Sequence, residues 1–190
     1  MLYNKIVMKL ILASSSPRRK ELMEKVGYPF EIVPSNCPEI SSATKPTDLV
    51  QELAQQKAQA VFSTHSDCVV LGSDTVVDFK GQVMGKPCDN ADAIAMLKQL
   101  SGDIHQVHTG VCILSPVGSW LFCDSTDVKF RKLTDDEIAR YVNSGEANGK
   151  AGAYGIQDSG FVESHVGDYD NVVGLPVYKV KEILDKIYKR

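Results

Sequence analysis

The sequence lacks most of the features that assign a compartment or a chemistry at sight. Basic residues do not outnumber acidic ones: 21 Lys and Arg against 24 Asp and Glu give a formal net charge of −3. Nothing therefore draws the chain as a whole to a nucleic-acid backbone. Its 5 cysteines, Cys37, Cys68, Cys88, Cys112 and Cys123, are odd in number, scattered and never spaced C-x-x-C. That is the pattern of reduced thiols rather than of a disulfide framework. His65 and Cys68 stand at ligand spacing, but no second pair follows to complete a tetrahedral zinc set. No run approaches the roughly 18 apolar residues of a membrane span. The apolar stretch from Met1 to Ala13 is broken by Lys5 and Lys9 and leads into Arg18-Arg19-Lys20 without a cleavage-like site. A secretory leader is therefore not expected, and regular patterning starts just after Met8. Also missing are a repeat, a low-complexity tract, a linker and the glycine-rich G-x-x-x-x-G-K-[ST] loop. The expectation is a cytoplasmic protein that engages neither nucleic acid nor membrane.

What is present is an ordinary globular composition. Of 190 residues, 43% are hydrophobic and 24% charged. A chain of that length buries roughly 70% of its unfolded surface and needs no staple. Strand-like and helix-like segments alternate. Strands are predicted at Leu10–Ala13, Phe30–Val33 and Cys68–Val77, with Phe79–Met84 returning as a hairpin across Lys80-Gly81. Val107–Leu114 and Trp120–Phe130 read as a strand pair around Pro116-Val117-Gly118. Helices are predicted at Pro17–Val26, stopped by Gly27, from about Asp48 to Thr64, and at Ala91–Leu100, ended by Gly102. Two more follow at Asp135–Asn143 and Val177–Tyr188. Alternation of this kind predicts an α/β fold with a mixed sheet, its strand order left open.

The first chemical signal lies at the first strand-to-helix turn, Ser14-Ser15-Ser16-Pro17-Arg18-Arg19. Ser16 suits the N-cap and Pro17 the first helical position, where its missing N–H costs nothing. A capping box would place Glu or Gln where Arg19 stands. Cations at a helix N-terminus oppose the macrodipole by roughly 0.3–1 kcal/mol each. Backbone amides, three hydroxyls and two guanidinium forks together suit a polyphosphate better than an empty cap. A capped surface helix with solvated arginines is the plain alternative.

Two further charges sit where apolar residues are expected. Val50, Leu53, Ala54, Ala58 and Val61 form one helical stripe, and Lys57 falls near its centre, where a lysine needs an anion or a cleft. Asp74 interrupts the buried-strand pattern Val69 to Val77, and an ionised carboxylate there must be paired, hydrogen-bonded or metal-bound. Gly72, two residues away on the same strand face, is expected to leave room for a ligand beside Asp74. The alternative for Asp74 is a structural bond at the strand's end. Lys86, in Gly85-Lys86-Pro87, is a second candidate cation. Two lysines and two arginines would match the charge of a triphosphate. By contrast, Thr134-Asp135-Asp136-Glu137 is an ordinary capping box. His105, His108 and His165 stand in no Ser-His-Asp or metal spacing and read as structural.

Taken in order these pieces resemble the Maf family of nucleoside triphosphate pyrophosphatases. The matching stretches are Leu12-Ala-Ser-Ser-Ser-Pro-Arg-Arg19, Gln56-Lys57-Ala58, Leu71-Gly-Ser-Asp-Thr-Val-Val77, Gly85-Lys-Pro87 and Leu100-Ser-Gly102. Thr109-Gly-Val111, Lys150-Ala-Gly-Ala-Tyr-Gly-Ile-Gln157 and Val173-Gly-Leu-Pro176 complete the set. The resemblance implies an elongated, two-lobed α/β structure around a central cleft, of the inosine-triphosphatase type, with residues 1–190 forming one domain and a homodimer expected. It implies hydrolysis of a nucleoside triphosphate to monophosphate and pyrophosphate with a divalent cation (Mg, Mn or Co).

Asp74 matches the family's proton acceptor and, with Glu39, its metal position. Ser14, Ser16, Arg19, Lys57 and Lys86 align with polyphosphate-binding positions. Arg18, Thr75 and Gln157 match the positions that divide the family by substrate, and this set is similar to the branch acting on dTTP and UTP. A Gln amide both donates and accepts, which complements a pyrimidine edge. Modified pyrimidine triphosphates fall within the same implication.

The chain departs from the family pattern in the shortened stretch Asp158-Ser-Gly-Phe-Val162 and in Cys37-Pro38-Glu39, where a more acidic cluster is usual. Regular strand geometry also puts Asp74 and Thr75 on opposite faces, so both serve one site only if the strand ends or bulges there. Two other functions remain open on the sequence: a nucleotide-binding regulator of cell division with little turnover, and an inosine-type triphosphatase.

Overall fold

A computed structural model describes residues 8–189, so part of the stretch from Met1 to Ala13 on which the leader expectation rests lies outside the described residues. The elements follow as β1 (Leu10–Leu12), α1 (Pro17–Val26), β2 (Glu31–Ile32), α2 (Pro46–Phe62), β3 (Val69–Phe79), β4 (Gln82–Met84) and α3 (Asn90–Leu100). After these come β5 (Ile104–Ser115), β6 (Gly118–Phe130), α4 (Asp135–Asn143), a 3-10 turn at Ala151–Ala153, β7 (Val162–Val166), α5 (Tyr169–Val173) and α6 (Val177–Tyr188). Seven strands form one sheet in the order β2-β1-β3-β5-β6-β7, with β4 hairpinned onto β3. The β2-β1-β3 pairings are parallel and the rest antiparallel, which makes the sheet mixed, as expected.

Local signals place most boundaries. Ser16 caps α1 by accepting from the Arg19 amide, Pro17 opens it, and Gly27 closes it in the left-handed region at φ 86°. Thr134 and Glu137 form the full capping box of α4. The elements that patterning missed are β7 and α5. β7 is an exposed edge strand without apolar alternation, and α5 has only 5 residues, too few to show a helical period.

Alternation along β1, β3 and β5 decides which helix covers which face. Leu10, Leu12, Val69, Leu71, Val111 and Ile113 pack towards α1 and α6. Ile11, Ala13, Val70 and Cys112 pack towards α2. A third cluster fills the far end of the long strands, where Val77, Val107, Val128 and Phe130 meet α3 and α4.

Between these packed ends β3 changes partners along one edge. β1 stops at Leu12, opposite Leu71, and β4 begins its pairing at Val77. Among the described residues, no strand covers residues 72–76 on that edge, while β5 pairs continuously on the other. This gap replaces the expected bulge or strand end. β3 runs straight through, and both of its faces open to one cavity because no neighbouring strand of the described residues covers that stretch of the edge.

Gly72 has a different purpose from the one its position suggested. A Cβ there would run into the Ala54 carbonyl and the Ala58 amide of α2, and one on Gly110 into the Val50 carbonyl. The space beside Gly72 is filled by helix backbone and holds no room for a ligand. The two glycines let α2 lie close on the sheet, and that close approach brings Lys57 within reach of Asp74.

Candidate active site

The gap in β3 opens into a cavity of about 490 Å³, within the range of small-molecule sites. One wall is the turn from β1 into α1. Ser14 Oγ accepts from the Ser16 amide at 3.2 Å, and Ser16 Oγ accepts from the Arg19 amide at 3.5 Å. Both serines act as acceptors in these bonds, so each keeps its O–H to donate. Arg18 lines the cavity and donates Nη2 to the Gly149 carbonyl at 3.1 Å. Arg19 reaches under the turn, donating Nε to the Gly174 carbonyl and Nη2 to Thr75 Oγ1, each at 3.0 Å. Burial pulls the Arg19 guanidinium below its ordinary pKa, with Asp74 and Glu39 opposing and Arg18 adding to the shift.

The floor carries the acid. Lys57 Nζ stands 2.5 Å from Asp74 Oδ1 and 2.9 Å from Glu39 Oε1, so α2, β3 and the loop after β2 meet at one ammonium. The side chains of Lys57 and Asp74 are only 10% and 12% exposed. That answers both questions the sequence posed, since the lysine on the apolar stripe and the acid in the core strand are each other's partner. Partial burial alone would raise the Glu39 pKa. Its hydrogen bond and charge contact with Lys57, helped by Lys86 and Arg19, bring it below the ordinary value instead. The neighbouring Ile40 is held by Gln56, whose Oε1 accepts from its amide at 3.3 Å while Nε2 donates to its carbonyl at 2.5 Å. Gln56 therefore anchors the loop that carries Glu39.

All of Ser14, Ser16, Arg18, Arg19, Glu39, Lys57, Asp74, Thr75, Lys86 and Gln157 line this one cavity. Among the described residues no group of three or more His, Cys, Asp or Glu is arranged to hold a metal. The acidic donors facing the cavity here are the pair on Lys57, together with any phosphate that enters. Mg²⁺ characteristically takes one or two carboxylates plus substrate phosphates and water, so this pair fits it.

Lys150 heads one of the matching stretches, yet its spacing alone assigned it no role. Its side chain is 8% exposed, and Nζ donates to Asp158 Oδ2 at 2.5 Å, Glu146 Oε2 at 3.1 Å and Tyr141 Oη at 3.3 Å. Tyr141 donates to Asp158 Oδ1 at 2.8 Å and accepts from the Gly155 amide at 3.1 Å. This clamp fixes the turn from Gly155 to Ser159 that presents Gln157. The chain enters it through Gly152 at φ 64°, where a Cβ would press on the Val77 side chain. Besides its place in that stretch, the i,i+4 spacing of Glu146 and Lys150 was the available signal.

The histidines stay outside the cavity lining. His105 is buried, 2.7 Å from Tyr154 Oη, and burial pushes its pKa down to about 4. His108, Asp78 and Ser125 do meet across three strands, at 3.6 Å and 2.7 Å from the imidazole, through pairing that sequence spacing does not reveal.

Residues 9–187 match the Maf-like protein family. The chain belongs to the Maf family. Among its Maf relatives is a protein of Deinococcus radiodurans named dTTP/UTP pyrophosphatase, 48% identical over 178 residues, covering 93% of this chain and 91% of that one. A Bacillus thuringiensis protein of the same name is 49% identical over 175 residues, covering 90% of this chain and 92% of that one. Among solved structures, the Ham1 protein of Staphylococcus aureus superposes with a TM-score of 0.56, covering 94% of this chain and 99% of that one. At 10% identity, this second likeness establishes that the Maf chain shares the Ham1 fold and goes no further.

Proposed function

We propose that this Maf protein hydrolyses nucleoside triphosphates, dTTP and UTP foremost, to the monophosphate and pyrophosphate. The observation that carries the proposal is the gap in β3. It places a carboxylate, its lysine partner and a helix N-terminus with two arginines around a single cavity. Relatives named dTTP/UTP pyrophosphatase over nine-tenths of the chain support the same activity.

Water attacks the α-phosphorus, the bond from that phosphorus to the α–β bridging oxygen breaks, and pyrophosphate leaves. Asp74 takes the proton from the attacking water, and Lys57 holds that carboxylate in place through Oδ1. Arg18, Arg19 and Lys86, with the hydroxyls of Ser14 and Ser16 and the amides of the first turn of α1, bind the β- and γ-phosphates. Fixed donors of this kind stabilise charge as it builds on the leaving group. Glu39 and Asp74 would hold a divalent cation, which when bound neutralises phosphate oxygens. Gln157, set on the turn that Lys150 clamps, reads the pyrimidine, while Arg18 and Thr75 act on specificity from the phosphate side.

The described residues act as one domain whose two lobes share this cavity, and the working form is a cytoplasmic homodimer. No helix of the described residues is long and apolar enough to cross a membrane.

The test is a panel of canonical and modified nucleotides with Mg²⁺, Mn²⁺ or Co²⁺, read out as pyrophosphate against single phosphate. Pyrophosphate release from dTTP and UTP that falls by about 10³-fold in Asp74→Asn is expected. Release of single phosphate refutes the mechanism, and tight binding without turnover would support the regulatory alternative.

A further inference from the structure

The stretch Thr109-Gly110-Val111 stands out in the sequence, yet the proposed chemistry gives Thr109 no part. Thr109 is fully buried, opposite Thr75 in the β3–β5 register, and lies beyond the residues that line the cavity. Its hydroxyl donates to the Asn171 carbonyl at 2.9 Å, and its oxygen lies 3.0 Å from Thr75 Oγ1.

These bonds fix the direction of every proton in the row. A carbonyl only accepts, so the single proton of Thr109 goes to Asn171. Thr109 Oγ1 then accepts, which commits the Thr75 proton to it. Thr75 Oγ1 in turn offers only lone pairs on its remaining side, and there it accepts from Arg19 Nη2 at 3.0 Å. Arg19 is thereby held at two points, Thr75 and the Gly174 carbonyl, which also accepts from Ser73 Oγ at 3.1 Å. The rest of the guanidinium fork is left to face the cavity.

We infer that Thr109 is a positioning residue for Arg19, acting through the Thr75 hydroxyl and setting the angle at which the guanidinium meets the substrate's phosphates. The inference rests on the proposal above that Arg19 binds those phosphates. Without the Thr109 acceptor, the Thr75 proton is free to turn toward Arg19, where two donors would face each other. It also gives a physical meaning to a threonine next to the catalytic acid, since the Thr75 side chain is spent on an arginine rather than on a base.

The experiment compares Thr109→Val, Thr109→Ser, Thr75→Val and Arg19→Ala, with UTP kinetics and the Kd of inorganic pyrophosphate measured on each. Thr109→Val is expected to lower kcat/KM about tenfold and weaken pyrophosphate binding by a similar factor, with Thr109→Ser restoring both. In an Arg19→Ala background, Thr109→Val should change either quantity less than twofold, because the group it positions is gone. Should Thr109→Val fail to fold, Thr75→Val breaks the same row one bond nearer to Arg19 and carries the same expectation.

Unchanged kcat/KM and pyrophosphate affinity in Thr109→Val or Thr75→Val, beside an impaired Arg19→Ala, would overturn the relay alone. Full multiplicative effects in the double variant would do the same. An Arg19→Ala protein that binds pyrophosphate and turns over UTP like the parent removes both the relay and the phosphate role of Arg19.

Discussion

Two buried lysines line the cavity, and each is pinned between two carboxylates. Lys57 takes its partners from far along the chain, Asp74 in β3 and Glu39 in the loop after β2. Lys150 takes Glu146 and Asp158 from its own neighbourhood, and Tyr141 besides. An ammonium has three protons. Lys150 spends all of its protons on protein oxygens, whereas Lys57 has two such partners among the described residues, one fewer than its protons. The difference separates a candidate site from its support. Lys57 gathers groups from three elements at a gap in the sheet that opens into the cavity. Lys150 closes a local turn and gives Gln157 a fixed base.

The sharpest way to break this comparison is to neutralise one acid from each cluster. Asp74→Asn should lower kcat by about 10³-fold, the scale of a lost proton acceptor, while Asp158→Asn should stay within about tenfold. Continuous pyrophosphate detection with UTP measures both, and equal losses would erase the distinction.

Removing the lysines tests the same contrast through stability. Breaking a buried pair from one side costs about 3–5 kcal/mol, and the partial exposure of Glu146, Asp158 and Glu39 reduces that toward the lower end. Lys57→Met and Lys150→Met should both lower Tm. Millimolar Mg²⁺ should restore only Lys57→Met, since there the freed carboxylates can take a cation instead. Thermal melts with and without MgCl₂ decide it.

A third prediction concerns the cavity wall, where Tyr154 meets His105. The folded-state pKa of His105 is about 4, below the ordinary 6.5, so between these values only the unfolded chain binds the proton. Stability therefore rises with pH across that window and is lost as pH falls through it, by up to about 3 kcal/mol in total. Urea melts at pH 7 and pH 4.5 should show His105→Gln losing less of its stability on acidification than the parent. The smallest effect belongs far from either lysine. Thr134→Ala removes one half of a capping box and should cost about 1 kcal/mol, with kcat unchanged.

Much of the candidate site was legible in the sequence because its residues break a rule. Lys57 violates an apolar stripe, Asp74 violates a buried strand, and Arg18 and Arg19 oppose a helix dipole. Such violations are costly unless something offsets them, so they point to a site before any fold is known. Lys150 broke no visible rule, since a lysine in a polar loop near two acids is what a solvated surface also looks like. Its burial follows from where α4 and the turn at Gly155 pack. β7 escaped notice for a related reason, since an edge strand with exposed residues carries no alternation. Gly72 was noticed but misjudged, because strand patterning alone does not show which helix will lie over it.

The sequence by itself determined most of the segments, their caps, the serine- and arginine-bearing turn that opens α1 and the identity of the charged residues that cannot be left unpaired. These are properties of near neighbours, set by backbone sterics, hydrophobic period and the cost of a lone charge. Tertiary structure alone decided that Asp74 and Thr75, on opposite faces of β3, share one cavity. That outcome depends on β1 ending at Leu12 and β4 beginning its pairing at Val77, so that five residues of a central strand are left with an open edge. An open edge is a relation among three strands, and no periodicity within one of them encodes it.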